Sequence, residues 1–86
     1  MNGLFNKVKN RNTRQRYVVS TIRKGDALFE TAVFAATLFY FPKSLSQPEL
    51  IIRTHTKDEA WETHYRITAR LTTEFPARLF QEFAQA

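Results

Sequence analysis

Apolar and polar positions along the chain change their spacing twice, and each change marks an element. In residues 16–35, RYVVSTIRKGDALFETAVFA, β-branched and aromatic residues flank Gly25-Asp26, the signature of a β-hairpin. Glycine at the first of two turn positions predicts a type II′ turn, because that position needs a positive φ. In this register Ile22, Ser20 and Val18 pair with Phe29, Thr31 and Val33 on the face expected to meet the core. Arg23, Thr21, Val19 and Tyr17 pair with Leu28, Glu30, Ala32 and Phe34 on the other face, where Arg23 and Glu30 are diagonal neighbours. A slip of one residue exchanges the faces. Residues 49–55, ELIIRTH, predict a third strand. Between these strands, Phe39, Tyr40 and Phe41 either continue the second strand past a bend at Ala35-Ala36 or belong to a loop over residues 36–48.

The spacing then turns helical. Thr56 with Glu59 three residues later forms a capping box, and Asp58 and Glu59 suit the positive end of a helix. Ala60, His64, Ile67 and Leu71 follow at i, i+4, i+7 and i+11, one stripe on one face, which Trp61 and Thr68 widen. Glu62, Arg66 and Arg70 fall opposite. Pro76 ends this helix near Thr73 and opens a second, short helix whose apolar edge is Leu79, Phe80 and Phe83. The fold class expected is α+β: a three-stranded antiparallel sheet packed on a C-terminal helix, with a short second helix. Residues 17–86 form the single domain.

Charge separates the first 16 residues from the rest. The net charge is +5 over 86 residues. Lys7, Lys9, Arg11, Arg14 and Arg16 face no acid within residues 1–16, whereas cations and acids cancel in residues 17–86. With Gly3, four asparagines and no sustained periodicity, residues 1–16 read as a flexible basic arm on a neutral body. No positive start followed by an apolar run marks a signal peptide. The longest apolar stretch, residues 32–41, is shorter than the roughly 20 residues that span a bilayer. A protein without cysteine, disulfide or membrane segment is expected in the cytoplasm.

Two segments carry a resemblance. The strand Tyr-Val-Val-Ser-Thr at residues 17–21, the strand Glu-Thr-Ala-Val-Phe at residues 30–34, and the helical Glu-Ala-x-x-x-His at residues 59–64 resemble small uncharacterised proteins common in bacteriophages and prophages. The resemblance covers residues 17–70; the segment ATLFYFPKSLSQP departs from the pattern. It implies an accessory protein that grips a host or viral macromolecule, without an established activity.

The chemistry points to binding and not to catalysis. Ser20, Ser44 and Ser46 lack a nucleophile elbow, and two glycines cannot build a phosphate-cradling loop. His55 and His64 lie nine residues apart without a converging ligand set, so no metal or other cofactor is expected. His64, central on the apolar stripe, is expected buried and hydrogen-bonded between helix and sheet; His55 is expected at the surface. The leading expectation is a protein partner, host or phage, on Phe39, Tyr40, Phe41, Leu79, Phe80 and Phe83. Phe80 and Phe83 are also placed to form a homodimer. The expected mode is inhibition or redirection of a host defence or transcription complex. The alternative is direct DNA or RNA binding by Lys7, Lys9, Arg11, Arg14 and Arg16, with Tyr17 and Phe34 stacking bases. A small structural or assembly component is the third reading.

Overall fold

The computed structural model describes residues 3–85; Met1, Asn2 and Ala86, the outermost residues of the expected arm and domain, lie outside them. Four strands precede two helices: β1 (Gly3–Lys9), β2 (Arg16–Gly25), β3 (Leu28–Ala36), β4 (Leu50–Thr54), α1 (Lys57–Thr73) and α2 (Pro76–Ala84). The sheet is antiparallel in the order β1-β2-β3-β4, so every strand lies beside its sequence neighbour. The class is α+β, but the sheet has four strands where three were expected.

The additional strand comes from the stretch read as a flexible arm. β1 pairs with β2 from Gly3↔Ile22 to Lys9↔Arg16. A Cβ on Gly3 would stand 2.7 Å from the Thr21 carbonyl oxygen, so only glycine lets the strand approach this closely there. Asn6 bonds to the helix layer and Val8 joins the core, while Phe5 and Lys7 on either side of Asn6 are exposed. That alternation has period two. Asparagine and lysine hide it from a reading based on hydrophobicity.

The hairpin of β2 and β3 forms one residue out of the expected register. Val19 faces Val33, Thr21 faces Thr31 and Val18 faces Phe34. The turn residues are Asp26 and Ala27, with an irregularity between Arg23 and Gly25 that absorbs the extra residue. Gly25 has no positive φ, so the type II′ turn does not form. The shift exchanges the faces of β2 only. Tyr17, Val19 and Thr21 turn toward the helices and join Phe29, Thr31 and Val33. Glu30 meets Arg53 of β4 at 3.4 Å, and Arg23 turns back to Asp26 at 3.9 Å.

The core lies between the sheet and the helices. Val8, Tyr17, Val19, Val33 and Leu50 from the sheet meet Ile67, Leu71 and Leu79 from the helices. Each buried aliphatic side chain contributes about 1.5–3 kcal/mol. Ala60, His64, Ile67 and Leu71 are the buried stripe of α1, as their spacing predicts. At its start Thr56 Oγ1 accepts from the Glu59 backbone N–H at 3.1 Å. The Thr56 hydroxyl in turn donates to the Glu59 carboxylate. The helix ends at Thr73, and α2 begins on Pro76.

The connection between β1 and β2 completes the other end of α1. The last carbonyls of a helix lack intrahelical donors. The fully buried Asn10 donates from Nδ2 to the Leu71 and Glu74 carbonyls, each at 2.6 Å. The Arg11 backbone N–H reaches the Thr72 carbonyl at 2.9 Å, and Asn12 Nδ2 reaches that of Thr73 at 2.6 Å. Asn10 Oδ1 meanwhile accepts from the backbone N–H groups of Asn12 and Thr13. Asn10 and Asn12 of the basic stretch are therefore a helix cap supplied from the opposite end of the chain.

Candidate functional site

Besides the Asn10 cap, the interior holds a polar cluster around His64. His64 Nε2 lies 2.7 Å from Asn6 Oδ1, and His64 Nδ1 lies 2.8 Å from Thr21 Oγ1, which in turn is 2.7 Å from Thr31 Oγ1. An amide oxygen only accepts, so Nε2 carries the proton. The neutral ring then accepts at Nδ1 from the Thr21 hydroxyl, and the Thr31 hydroxyl donates to Thr21. Burial lowers the His64 pKa below its ordinary value and holds the ring neutral. His64, Thr21 and Thr31 are sealed from solvent, so no substrate reaches them. The cluster joins α1 to β1, β2 and β3.

A second polar cluster joins the helices to each other. The Arg70 guanidinium donates to the carboxylates of Glu74 and Glu82 and lies 5.5 Å from the centre of the Phe83 ring. Its pKa is raised, first by the hydrogen bond to Glu74 and then by that to Glu82. The Arg70 hydrogen bond lowers both carboxyl groups.

A cluster of cations lies elsewhere, at the β1–β2 end of the outer sheet face. Lys9 and Arg16 stand directly opposite each other across the strand pair. Like charges so placed destabilise a sheet. The Lys9 pKa is lowered, first by Arg14, then by Arg16 and least by desolvation. Among the described residues the ion pairs join Arg23 to Asp26, Arg53 to Glu30, and Arg70 to Glu74 and Glu82. Lys7, Lys9, Arg11, Arg14 and Arg16 take part in none of them.

Tyr40 completes this end of the sheet. Its ring centre lies 5.8 Å from Lys7 Nζ and 5.8 Å from Arg16 Cζ, so one ring serves two cations. Arg14 and Tyr40 are the two non-glycine residues of positive φ among those described, each at 64°. Side chains in that region cost about 1–3 kcal/mol and persist where the surroundings impose them. Both strained residues belong to the cationic cluster.

The segment at residues 37–49 is a loop, and its aromatic part is held in a fixed turn. Thr37 N–H donates to the Phe41 carbonyl at 2.8 Å, Tyr40 N–H to that of Thr37 at 3.0 Å, and Lys43 N–H to that of Ala35 at 2.8 Å. Phe39 is 74% exposed and Phe41 68%.

No protein family, curated protein or solved structure matches the chain.

The residues expected to bind nucleic acid divide between the two faces of the sheet. Lys7, Lys9 and Arg16 gather at one end of the outer face, and Arg11 and Arg14 occupy the turn beside it. Phe34 is half-buried on the outer face. Tyr17 is not at the surface: the shifted register turns it inward, where its ring meets Phe80 edge-on at 5.7 Å. Of the expected protein interface, Phe39 and Phe41 are exposed and Tyr40 is held by the cations. Leu79 is buried in the core, and Phe80 and Phe83 pack against it. Leu79 is sealed, while Phe80 and Phe83 are half-buried against the core. Among the described residues no group of three or more histidine or acidic side chains converges as a metal site, and no helix is long and apolar enough to cross a membrane.

Proposed function

We propose that this protein works without catalysis, by holding the phosphate backbone of a nucleic acid on the cations at the β1–β2 end of the sheet. One observation carries the reading: Lys9 and Arg16 face each other with Arg14 beside them, and among the described residues none of the three is in an ion pair. Such an array costs the fold stability, and a phosphate relieves it. Binding also releases counterions from the nucleic acid, which gives a charge-led affinity of steep salt dependence. The strands fix the backbone that carries Lys7, Lys9 and Arg16, so little backbone freedom is lost on binding. The negative end of the α1 dipole, against which the turn is seated, offsets part of the repulsion in the free protein.

A second reading is a protein partner on the exposed loop residues Phe39 and Phe41. The resemblance to phage and prophage accessory proteins supports it, with action in the host cytoplasm. It is the weaker reading, because Leu79 is sealed in the core and Phe80 and Phe83 are half-buried against it. Fluorescence anisotropy of short labelled oligonucleotides over a salt series tests the proposal, comparing the wild type with a Lys9→Gln, Arg16→Gln variant. Binding is expected at physiological salt. The double substitution should flatten the slope of log K against log salt by about 1.4–1.8, the share of two phosphate contacts. Absence of binding, or an unchanged slope, overturns the proposal.

A further inference from the structure

Resting on the phosphate-binding reading above, we propose that the bound nucleic acid is single-stranded and that Phe39 and Phe41 stack on its bases. The cations account for a backbone but not for the turn beside them. That turn places two phenyl rings in water on either side of Tyr40, whose own ring is engaged by Lys7 and Arg16. The rings are not exposed through looseness. The turn is closed by the Thr37–Phe41 and Tyr40–Thr37 backbone hydrogen bonds and by the Phe41 N–H donating to Thr37 Oγ1 at 3.2 Å. It is tied to the sheet through the Ala36–Pro42 bridge. The unusual φ of Tyr40 keeps that ring with the cations while its two neighbours stay exposed.

A partner that uses this whole surface brings anions to the cations and flat apolar faces to the phenyl rings. Single-stranded nucleic acid does so at every nucleotide, and base–aromatic stacking tolerates any sequence. A duplex brings the anions but keeps its base faces stacked inside, so it leaves the phenylalanines without a role. An acidic polypeptide brings anions without a regular series of flat faces. DNA and RNA share the chemistry that this surface reads, and the assay separates them.

The experiment compares the full-length wild type with a Phe39→Ala, Phe41→Ala variant by anisotropy. The probes are labelled oligo-dT, oligo-rU, a mixed-sequence duplex of equal length and a poly-glutamate peptide. Thermal melts are expected to be unchanged, since both rings are exposed. Either single strand should bind more tightly than the duplex. The variant should lose roughly 5- to 150-fold in single-strand affinity per ring, the span of one base–aromatic stack, with duplex affinity unchanged. Equal losses for duplex and single strand, or none for either, overturn the single-strand inference and leave the phosphate reading in place. Poly-glutamate binding as tightly as the oligonucleotides, with the same dependence on the phenylalanines, overturns it in favour of a protein partner. Binding of no probe overturns both the inference and the reading beneath it.

Discussion

Replacing Asn10 with alanine tests whether the basic stretch belongs to the fold. The substitution removes the two Nδ2 donors that reach the Leu71 and Glu74 carbonyls, each at 2.6 Å. It also removes the acceptor for the Asn12 and Thr13 backbone N–H groups, which lie in the exposed turn where water can replace it. The two carbonyls decide the magnitude. Each buried polar group left without a partner costs about 1–3 kcal/mol. The Leu71 bond is buried and the Glu74 bond partly so, which places the total at about 2–4 kcal/mol. A domain of this size holds roughly 4–13 kcal/mol in all. Urea unfolding followed by circular dichroism reads the loss directly. With a slope of about 1 kcal/mol per molar urea, the midpoint should fall by about 2–4 M. Asn12→Ala, whose bond to Thr73 is exposed, serves as the comparison and should cost less than about 1 kcal/mol. If Asn10→Ala lies within about 0.5 kcal/mol of the wild type, the turn does not cap α1 and its cations are not held rigidly.

Three further outcomes are expected. His64 has a folded-state pKa below its ordinary 6.5, so the unfolded chain binds the proton more readily; stability is complete above that value and falls as pH drops toward the folded pKa. NMR titration of the ring should give a midpoint below 6.5, and a midpoint at or above it refutes the buried neutral assignment. Leu79→Ala should cost about 2–5 kcal/mol because Leu79 is a sealed core residue; a loss under about 1 kcal/mol means that α2 is peripheral. Arg14→Asn should raise stability by up to about 1 kcal/mol, since asparagine tolerates a φ of 64°, while weakening oligonucleotide binding. A variant that is less stable, or that binds as the wild type does, contradicts the account of strain at the cationic end.

How much of the fold is legible in the sequence depends on how local each signal is. The Thr56 cap, the stripe from Ala60 to Leu71 and the Pro76 helix start all lie within a few turns of one another and are found where their spacing puts them, although the Glu59 carboxylate bonds to the Thr56 hydroxyl and not to its backbone N–H as a capping box requires. The hairpin is legible as a hairpin, but its register is not. Tyr17, Val18, Val19 and Ile22 place apolar groups on both faces of β2, so the pattern does not choose between faces and the irregularity near Lys24 does. The candidate site divides in the same way. Its cations are plain in the sequence as an uncompensated run. Tyr40 joins them through a turn of residues 37–41 that no periodicity announces.

Taken alone, the sequence determined the helices, the existence of three strands, the excess of positive charge and the burial of His64, because each follows from residue type and short-range spacing. Only the tertiary structure decided that the basic stretch is a strand and a helix cap. The partners that make it so are more than fifty residues away: Asn6 finds His64, and Asn10 finds Leu71 and Glu74. An asparagine beside lysines reads as tail until a helix end with unsatisfied carbonyls is brought to meet it, and that meeting is a property of the folded chain.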